Sequence, residues 1–435
     1  MANVLKVESR LKPGLQQAAG SFNLDLIRAI DKWVGIPACF FVSLAYKILE
    51  RLRHGRHHEA VQGTRFRRML FIELSEMGSA TLAYPAMRYV LRRYPGAGLY
   101  FLIFEQNRFS VDILDVIPAD HVLTIDIRSP LRFLFSTLKA LAAMRRAQVD
   151  TVFDLELFSR FSSLLSGLSG ARVRAGYGKY HEEGLYRGDF MTHRVLYNSH
   201  QHMAKNFLAL VKSIEREGEY PLLKEVIVEQ DLVYPRYESA ETDLKSLKAR
   251  LAAINPVVDE AEHLVLLNPN AGDLLPVRAW PVENYAALTQ RIIERFNAVV
   301  IVIGLKEAGR EAARILGHVG PERCIDFTNQ TSFKDLLDLM NLADVLITAD
   351  GGPAHFAGLT SIKNIALFGP ETPVLYAPVG QNTTCLFAGL ACSPCLSAYN
   401  HRKTGCTDPK CMKAITVDEV FEIVSGSLSD ARAKC

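Results

Sequence analysis

Short apolar runs alternate with amphipathic stretches along most of the first half of this chain. The apolar runs RRMLFIEL, GLYFLIF, HVLTID, VDTVFDL and ARVRAGY are separated by stretches with helical spacing. Continuous apolar strands between amphipathic helices indicate a parallel sheet that helices cover on both faces. The pattern therefore predicts a Rossmann-like α/β domain over residues 67–237.

The same alternation begins again after a proline-containing and charged connection at about residues 221–261. Its predicted strands are HLVLLNPN, AVVIVIG, CIDFTN, DVLITAD and KNIALFG. A second Rossmann-like domain is therefore predicted over residues 238–435. Two such halves that face each other would place a ligand cleft between the carboxyl ends of both sets of strands.

An N-terminal extension, residues 1–66, is predicted to be mostly helical. Its apolar stretch, Trp33 to Tyr46, is shorter than the ~20 residues that span a bilayer. The polar start of the chain does not resemble a secretory signal peptide. An apolar helix with a basic collar favours contact with an anionic cytoplasmic leaflet, and a helix buried against the first domain is the alternative. The basic residues of this collar are Arg51, Arg53, Arg56, Arg65, Arg67 and Arg68, with His54, His57 and His58 among them.

Composition narrows the function classes. Apolar residues make up 49% of the 435 positions and charged residues 22%, which is typical of a globular chain. The formal charge is only +3, so a large nucleic-acid-binding surface is not expected. Eight cysteines in a chain of this length do not indicate a secreted disulfide scaffold.

The most specific motif follows the predicted strand DVLITAD. Asp350 ends the strand, and Gly351 and Gly352 allow a tight turn with close backbone approach. Pro353 suits a first helical turn, whose free N–H groups are suited to hold a diphosphate. His355 lies close enough to reach the same phosphate, and Asp350 could accept bonds from hydroxyls. A purely structural strand–turn–helix is the alternative.

This motif resembles glycosyltransferase family 9, the heptosyltransferase-like enzymes. The resemblance is carried by Asp350, Gly352, His355 and the later Leu367-Phe368-Gly369-Pro370. The chain departs at Gly351, where the family usually keeps a hydroxyl, which implies one side-chain contact fewer to the donor. The resemblance implies a GT-B fold, with the nucleotide-diphosphate sugar bound by the C-terminal half.

The resemblance extends upstream through LNPNAGDLLPVRAWPVENYAAL. Asn270 sits in the loop after a strand, and Arg278 stands at the family's basic position, where it could neutralise the leaving diphosphate. Trp280 and the following proline match outright and are expected to shape the loop and start a helix. Glu307 resembles the family's Gly-x-x-Glu carboxylate, which implies a ribose or base contact. A first-turn acid favoured by the helix dipole explains Glu307 equally well.

The first domain carries the candidate catalytic residues, with one departure from the family. The heptosyltransferases have an aspartate directly after the glycine of the first strand–turn–helix, and this chain has Ser79 there. An inverting transferase requires a base for the acceptor hydroxyl, and serine is a poor base unless it is activated. Glu76 in the same turn could supply the carboxylate. Asp154 and Glu156, at the end of another strand, are alternatives.

The resemblance to family 9, together with these residues, implies an inverting, metal-independent glycosyltransferase. Its donor would be a nucleotide-diphosphate sugar such as ADP-heptose, and its acceptor a lipopolysaccharide or another surface glycan or glycolipid. It would be cytoplasmic and peripheral on the inner membrane. A nucleotide-sugar epimerase or hydrolase, and a non-catalytic sugar-nucleotide-binding protein of a polysaccharide assembly complex, are the alternatives.

A cysteine-rich loop, predicted at residues 385–411, contains two close pairs of thiols. Cys392 and Cys395 form one pair, and Cys406 and Cys411 form the other. Four thiolates at this spacing are compatible with a structural zinc site, or with an iron–sulfur cluster. Reduced cysteines or two disulfides are the alternatives. No cofactor is expected for catalysis.

Overall fold

The computed structural model describes most of the chain in two compact units. One unit covers residues 15–233, and the other covers residues 234–435 together with a short N-terminal strand. The second unit begins four residues before the boundary that the sequence pattern predicts at residue 238. The structure describes residues 4–5, 24–52, 66–157, 159–178, 186–216, 222–272, 275–398, 400 and 402–432.

The N-terminal strand and two helices precede the first sheet. They are β1 (Val4–Leu5), α1 (Leu24–Trp33) and α2 (Gly35–Leu52). The segment Ala29–Leu49 is long and apolar enough to cross a membrane by length and composition, and 17% of its apolar window is buried. This segment includes the apolar stretch Trp33–Tyr46, and helical residues continue it on both sides. The basic positions between residues 53 and 65 lie outside the described residues.

The first unit contains a sheet of six parallel strands in the order β4-β3-β2-β5-β6-β7. Its elements are, in chain order, β2 (Arg68–Ile72), α3 (Met77–Leu82), α4 (Tyr84–Arg93), β3 (Gly98–Phe104), α5 (Phe109–Asp112), β4 (Val122–Ile125), α6 (Pro130–Arg146), β5 (Thr151–Asp154), α7 (Arg160–Leu168), β6 (Val173–Tyr177), β7 (His193–Val195) and α8 (Met203–Lys212).

Alternate side chains of the central strands fill two layers of core in this unit. Leu70 of β2 belongs to the layer that also contains Met144 of α6 and Leu165 of α7. Phe71, the next residue, contacts Phe153 at a ring-centroid distance of 5.0 Å. Since successive side chains of a strand point to opposite faces, α6 and α7 cover the same face of the sheet.

The second unit repeats the arrangement with the order β11-β10-β9-β12-β13-β14, again parallel. Its elements are β8 (Arg236–Tyr237), which pairs with β1, α9 (Glu241–Ile254), β9 (His263–Asn268), α10 (Val282–Arg295), β10 (Ala298–Val302), α11 (Gly309–Val319), β11 (Cys324–Asp326), α12 (Phe333–Leu342), β12 (Val345–Ala349), α13 (Gly352–Ala357), β13 (Lys363–Phe368), α14 (Pro373–Tyr376), β14 (Thr383–Phe387), α15 (Lys410–Lys413) and α16 (Val417–Arg432).

The two parallel sheets and the N-terminal helices confirm the predicted fold class. Two edge strands, β7 and β14, were not foreseen, because each is short and only partly apolar. The helix after Asp350 has only six residues and ends at Ala357. A Cβ at the next residue, Gly358, would lie 1.9 Å from the carbonyl oxygen of Val379, so the chain packs too closely there for any larger residue.

Candidate functional site

The strand order of both sheets creates one crevice in each unit. In each sheet the first strand lies beside the fourth, and the chain leaves these two strands in opposite directions. Ligands of open α/β sheets bind at the carboxyl ends of the strands at such a switch point. The candidate sites are therefore the ends of β9 and β12 in the second unit and the ends of β2 and β5 in the first.

The ends of β9 and β12 are connected through an arginine and an aspartate. Arg278, in a short 3-10 helix after β9, places Nη1 3.3 Å from Oδ2 of Asp350, which directly follows β12. Its Nη2 donates to the carbonyl oxygen of Ala271, also at 3.3 Å. Both side chains are largely buried, with 14% and 7% exposed. The two contacts are at the long end for hydrogen bonds, so the guanidinium is held without being saturated.

The turn after Asp350 has room around its glycines. Gly351 has an extended φ of 168°, and a Cβ there would meet its nearest neighbour, the Ala349 carbonyl oxygen, at 3.9 Å. A Cβ at Gly352 would also meet nothing closer than 3.9 Å. The backbone therefore tolerates a side chain at both positions. Gly351 therefore leaves open space beside the turn, and its backbone torsion angles do not require a glycine.

His355 lies in the six-residue helix α13 and is buried, and its N–H donates to the Gly351 carbonyl oxygen at 3.4 Å. A helix of six residues has a small dipole, so its N-terminus attracts an anion less strongly than that of a longer helix. The guanidinium of Arg278 is therefore the main positive charge at this edge of the sheet that could attract an anion.

Asparagines shape the loop and the strand ends beside this pair. Asn270 accepts a hydrogen bond from the N–H of Gly272, whose φ is 75°. Asn268 donates from Nδ2 to Oγ1 of Thr348 at 3.1 Å, which connects β9 and β12 near their carboxyl ends. Asn270 therefore has a structural part in forming the loop that carries Arg278.

Glu307 is exposed in the 3-10 turn Lys306–Ala308, after the neighbouring strand β10. The turn requires a glycine at position 304. Gly304 has a φ of 150°, and a Cβ there would lie 2.6 Å from the Cβ of Ala308. Glu307 thus stands at the same edge of the sheet as Asp350, one strand beyond the Arg278 loop.

Trp280 fixes the position of this loop. Its indole is 2% exposed, Nε1 donates to the carbonyl oxygen of Ile415 at 2.9 Å, and its ring meets Tyr285 edge-on at a centroid distance of 4.9 Å. Pro281 precedes α10 directly. These contacts agree with the expectation that the Trp-Pro pair shapes the loop and starts the helix.

In the first unit, Glu76 and Ser79 meet at the end of β2. Glu76 immediately precedes α3, and Oγ of Ser79 donates to its Oε2 at 3.0 Å. Ser79 is buried and Glu76 is half-buried. A carboxylate therefore stands one hydrogen bond away from the serine that replaces the family's aspartate.

Two alternative carboxylates have structural contacts. Asp154 is fully buried and forms an ion pair with Arg187. Glu156 accepts hydrogen bonds from the N–H of Leu74 at 2.9 Å and from the N–H and Oγ of Ser75, each at 3.2 Å. Glu156 therefore holds the loop that carries Glu76, and Asp154 is engaged by Arg187, so Glu76 is the better placed candidate base.

The buried carboxylates of this site repel one another. Burial, with the nearby charges of Glu76 and Asp154, raises the pKa of Glu156 to about 7. Burial, with the charges of Glu156 and Glu76, raises the pKa of Glu73 well above its usual range. Groups whose pKa values are shifted in this way are enriched at functional sites, although structural networks shift them too.

The cysteines of the predicted metal site differ in their surroundings. Cys392 and Cys406 are exposed, whereas Cys411 is buried under Gly369, where a Cβ would lie 2.9 Å from its Sγ. Burial and the neighbouring Cys395 and Cys392 raise the pKa of the Cys411 thiol, although backbone N–H groups oppose the shift. Within the described ranges, no group of three or more His, Cys, Asp or Glu side chains is arranged to hold a metal ion. The structural zinc stays a prediction from spacing.

The sequence analysis did not predict one buried ion pair beside the candidate site of the second unit. Glu371, which is 1% exposed and follows β13, lies 3.0 Å from Nε of Arg402 in the cysteine-rich loop. The Arg402 guanidinium also lies over the ring of Tyr376. The two charged residues are 31 positions apart in the sequence, so no local pattern predicts their contact. The one available signal was that Glu371 directly follows the Phe-Gly-Pro motif.

Comparison with known proteins identifies the family of this chain. The profile of glycosyltransferase family 9 (heptosyltransferase) matches residues 138–404, more than half of the chain. The chain belongs to glycosyltransferase family 9. It is therefore a glycosyltransferase of the heptosyltransferase family, whose members act in lipopolysaccharide core biosynthesis.

Individual family 9 proteins are distant relatives of the chain. The lipooligosaccharide heptosyltransferase 2 of Campylobacter jejuni is 23% identical over 312 residues, which cover 70% of this chain and 92% of the relative. The lipopolysaccharide core heptosyltransferase OpsX of Haemophilus influenzae is 22% identical over 316 residues, which cover 71% and 81%. At this level of identity the relatives share a family with this chain, and the substrates of an individual relative are not assigned to it.

Solved structures confirm the GT-B fold. ADP-heptose LPS heptosyltransferase II of Escherichia coli superimposes with a TM-score of 0.64 at 16% identity, covering 84% of this chain and 99% of the other. The E. coli heptosyltransferase WaaC with ADP superimposes with a TM-score of 0.56 at 16% identity, covering 83% and 99%. At such low identity these likenesses concern the fold alone.

Proposed function

We propose that this family 9 enzyme is an inverting heptosyltransferase that transfers a heptose from ADP-heptose to a lipopolysaccharide core acceptor. The observation that carries the proposal is the Arg278–Asp350 pair at the switch point of the second unit. Two related solved structures support the choice of donor, because one is an ADP-heptose LPS heptosyltransferase and the other is a heptosyltransferase with ADP.

In the proposed reaction the second unit binds the donor. Arg278 provides a fixed positive charge for the diphosphate, whose negative charge increases as the bond to the sugar breaks. His355 and the open turn at Gly351 and Gly352 line the phosphate position, and Asp350 accepts hydrogen bonds from donor hydroxyls. Glu307 binds the ribose or the base. The Arg278 guanidinium stabilises the leaving diphosphate, so no divalent ion is required.

The first unit would bind the acceptor and supply the base. Glu76 takes the proton of the acceptor hydroxyl while that oxygen attacks the anomeric carbon. The hydrogen bond from Ser79 orients the Glu76 carboxylate. Inversion follows from a single displacement: the bond from the acceptor oxygen to the anomeric carbon forms as the bond from that carbon to the donor phosphate breaks.

Product analysis with and without acceptor tests this function. The enzyme should release ADP at a substantial rate only when a heptose-accepting core oligosaccharide is present, and chelation of divalent ions should leave that rate unchanged. Conversion of the donor without acceptor would indicate an epimerase or hydrolase. Donor binding without turnover for every acceptor would indicate a binding protein of an assembly complex.

We also propose a cytoplasmic, peripheral location on the inner membrane. Acceptors of this class are attached to lipid, so the enzyme benefits from residence at a membrane surface. The apolar helical segment Ala29–Leu49 supports this location, because large side chains such as Trp33 and Phe41 are more than half exposed there. Exposed large apolar side chains in one contiguous segment mark an interaction surface.

A further inference from the structure

A second exposed apolar stripe occurs on α6, which begins at Pro130, well after α2 ends at Leu52. The exposed residues recur at the spacing of one helical face, and Phe135 reaches 67% exposure. The opposite side of α6 is committed to the core, where Ala140 and Met144 are buried. The stripe comprises Leu131, Leu134, Phe135 and Leu138.

The position of α7 relates this stripe to α2. Phe133 of α6 contacts Phe161 of α7 at a ring-centroid distance of 4.9 Å. On its other side α7 meets α2, where Tyr46 donates from its hydroxyl to the carbonyl oxygen of Gly167 at 2.6 Å. Cys39 of α2 packs beside Leu164 of α7. The three helices α6, α7 and α2 therefore lie side by side over one face of the sheet.

The exposed sides of α6 and α2 both point away from that face. In α2 the side chains directed toward the protein include Cys39 and Tyr46, whereas Phe40, Phe41 and Leu44 are exposed. α2 also runs in the same direction as α7, because Gly35 at its start lies against Arg160 and its later residue Tyr46 reaches Gly167. The first unit thus presents two apolar stripes, on α6 and α2, on one side.

The stripe on α6 lies at the functional end of the unit. Residues 131–138 form the first turns of the helix that follows β4, and a helix after a parallel strand begins at the carboxyl edge of the sheet. Glu76 and Ser79 follow β2 at that same edge. A surface that met lipid through the stripe would therefore bring the acceptor side of the unit near the headgroups.

The charges of α6 indicate which surface it fits. The helix contains four basic residues and no acidic residue, and Arg132 is 60% exposed although it also faces Asp126. Apolar side chains flanked by exposed cations are typical of helices that lie in the interface of an anionic membrane. The basic residues are Arg132, Lys139, Arg145 and Arg146, all exposed.

We propose that α6 is a second membrane-contacting helix, which lies in the headgroup region of an anionic bilayer together with α2. The inference rests on the proposed peripheral location and extends it to a helix that carries no long apolar segment of its own. Leu134 and Phe135 enter the acyl boundary, and the flanking arginine and lysine side chains remain with the lipid phosphates.

Tryptophan fluorescence of the full chain tests the contact directly. Trp33 is changed to Phe and Phe135 is changed to Trp, so that the buried Trp280 is the one native indole kept. Vesicles of phosphatidylethanolamine and phosphatidylglycerol should shift the emission to shorter wavelength, and brominated acyl chains should quench it about twofold. The matched control is Val226→Trp in the same background, since Val226 is 83% exposed and lies outside the stripe; its emission should not change.

A binding measurement gives the second arm. Leu134→Ser with Phe135→Ser should lower the partition of the chain onto these vesicles about tenfold, whereas Leu222→Ser with Val226→Ser should not. Unchanged emission of Phe135→Trp in a chain that sediments with the vesicles would overturn the proposal, as would failure of the native chain to sediment. An emission shift on raising protein concentration without lipid would overturn it in favour of a second copy.

The outcomes separate this inference from the proposed function. Transfer to a delipidated, soluble core oligosaccharide requires no membrane, so the double serine variant should keep that activity within about twofold of the native chain. If the native chain lacks that transfer, the proposed function fails, whereas the fluorescence result on α6 stands independently.

Discussion

Arg278 and Asp350 form an ion pair 72 positions apart in the sequence, with Nη1 and Oδ2 separated by 3.3 Å. The pair connects the two motifs through which the chain resembles family 9, one after β9 and the other after β12. It lies at the switch point of the sheet, where open α/β folds bind ligands. The second unit therefore presents an arginine whose orientation is set before any anion arrives.

The assignment of Glu76 as base predicts different effects for two neighbouring substitutions. Glu76→Gln keeps an oxygen that can accept the Ser79 hydrogen bond but removes the base, so kcat should fall ~10²–10⁴-fold. Ser79→Ala removes only the orienting bond and should lower kcat less than about tenfold. Steady-state kinetics with saturating donor measures both. Loss of activity in the serine variant alone would assign the central role to Ser79.

The glycines of the second unit should respond to alanine in opposite ways. Gly304→Ala places a Cβ 2.6 Å from that of Ala308 at a φ of 150°, so the free energy of unfolding should fall by ~1–3 kcal/mol. Gly351→Ala meets nothing closer than 3.9 Å and should change it by less than ~0.5 kcal/mol. Denaturant titration of both variants decides this. An equal loss of unfolding free energy in both variants would show that the Gly351 turn has no room for a Cβ.

Glu156 should make stability depend on pH in an unusual direction. Its pKa is raised from 4.5 to about 7, so the folded state retains a proton that the unfolded state has already lost. Stability is therefore fully present below pH ~4.5 and declines as the pH rises toward 7, by ~3 kcal/mol at most from this group.

Glu156→Gln tests this directly, because the amide oxygen can still accept the Leu74 and Ser75 hydrogen bonds but the group no longer ionises. Urea titrations between pH 5 and pH 8 should show a flatter profile for the variant and greater stability than the native chain at pH 8. Parallel profiles for the two proteins would mean that Glu156 is charged in the folded state throughout this range.

Much of the fold follows from the alternation of apolar runs and amphipathic helices. Buried parallel strands such as AVVIVIG are continuous apolar runs, because helices cover both of their faces. Strands β7 and β14 were missed because they lie at sheet edges, where only part of each strand is buried. Apolar content is then too low to distinguish a short strand from a loop.

The local motifs of the candidate site could be predicted from the sequence, but the contacts between them could not. The turn after Asp350 and the loop with Arg278 are recognisable by spacing, but their contact depends on the strand order that places β9 beside β12. The pairing of Glu371 with Arg402 depends on the path of the cysteine-rich loop and has no local signal. Likewise, the exposed stripe of α6 is an ordinary amphipathic pattern until the structure shows which side faces the core.

Calorimetric titration of nucleotide diphosphates and their sugars into the native chain, Arg278→Ala and Arg314→Ala tests the central claim most directly. Arg314 is a matched control, because it is an exposed arginine of the same unit that pairs with Glu283. The account predicts that ADP and ADP-heptose bind the native chain and Arg314→Ala alike, and that affinity falls at least about tenfold in Arg278→Ala. Equal affinity in all three proteins, or no nucleotide binding to the native chain, would contradict it.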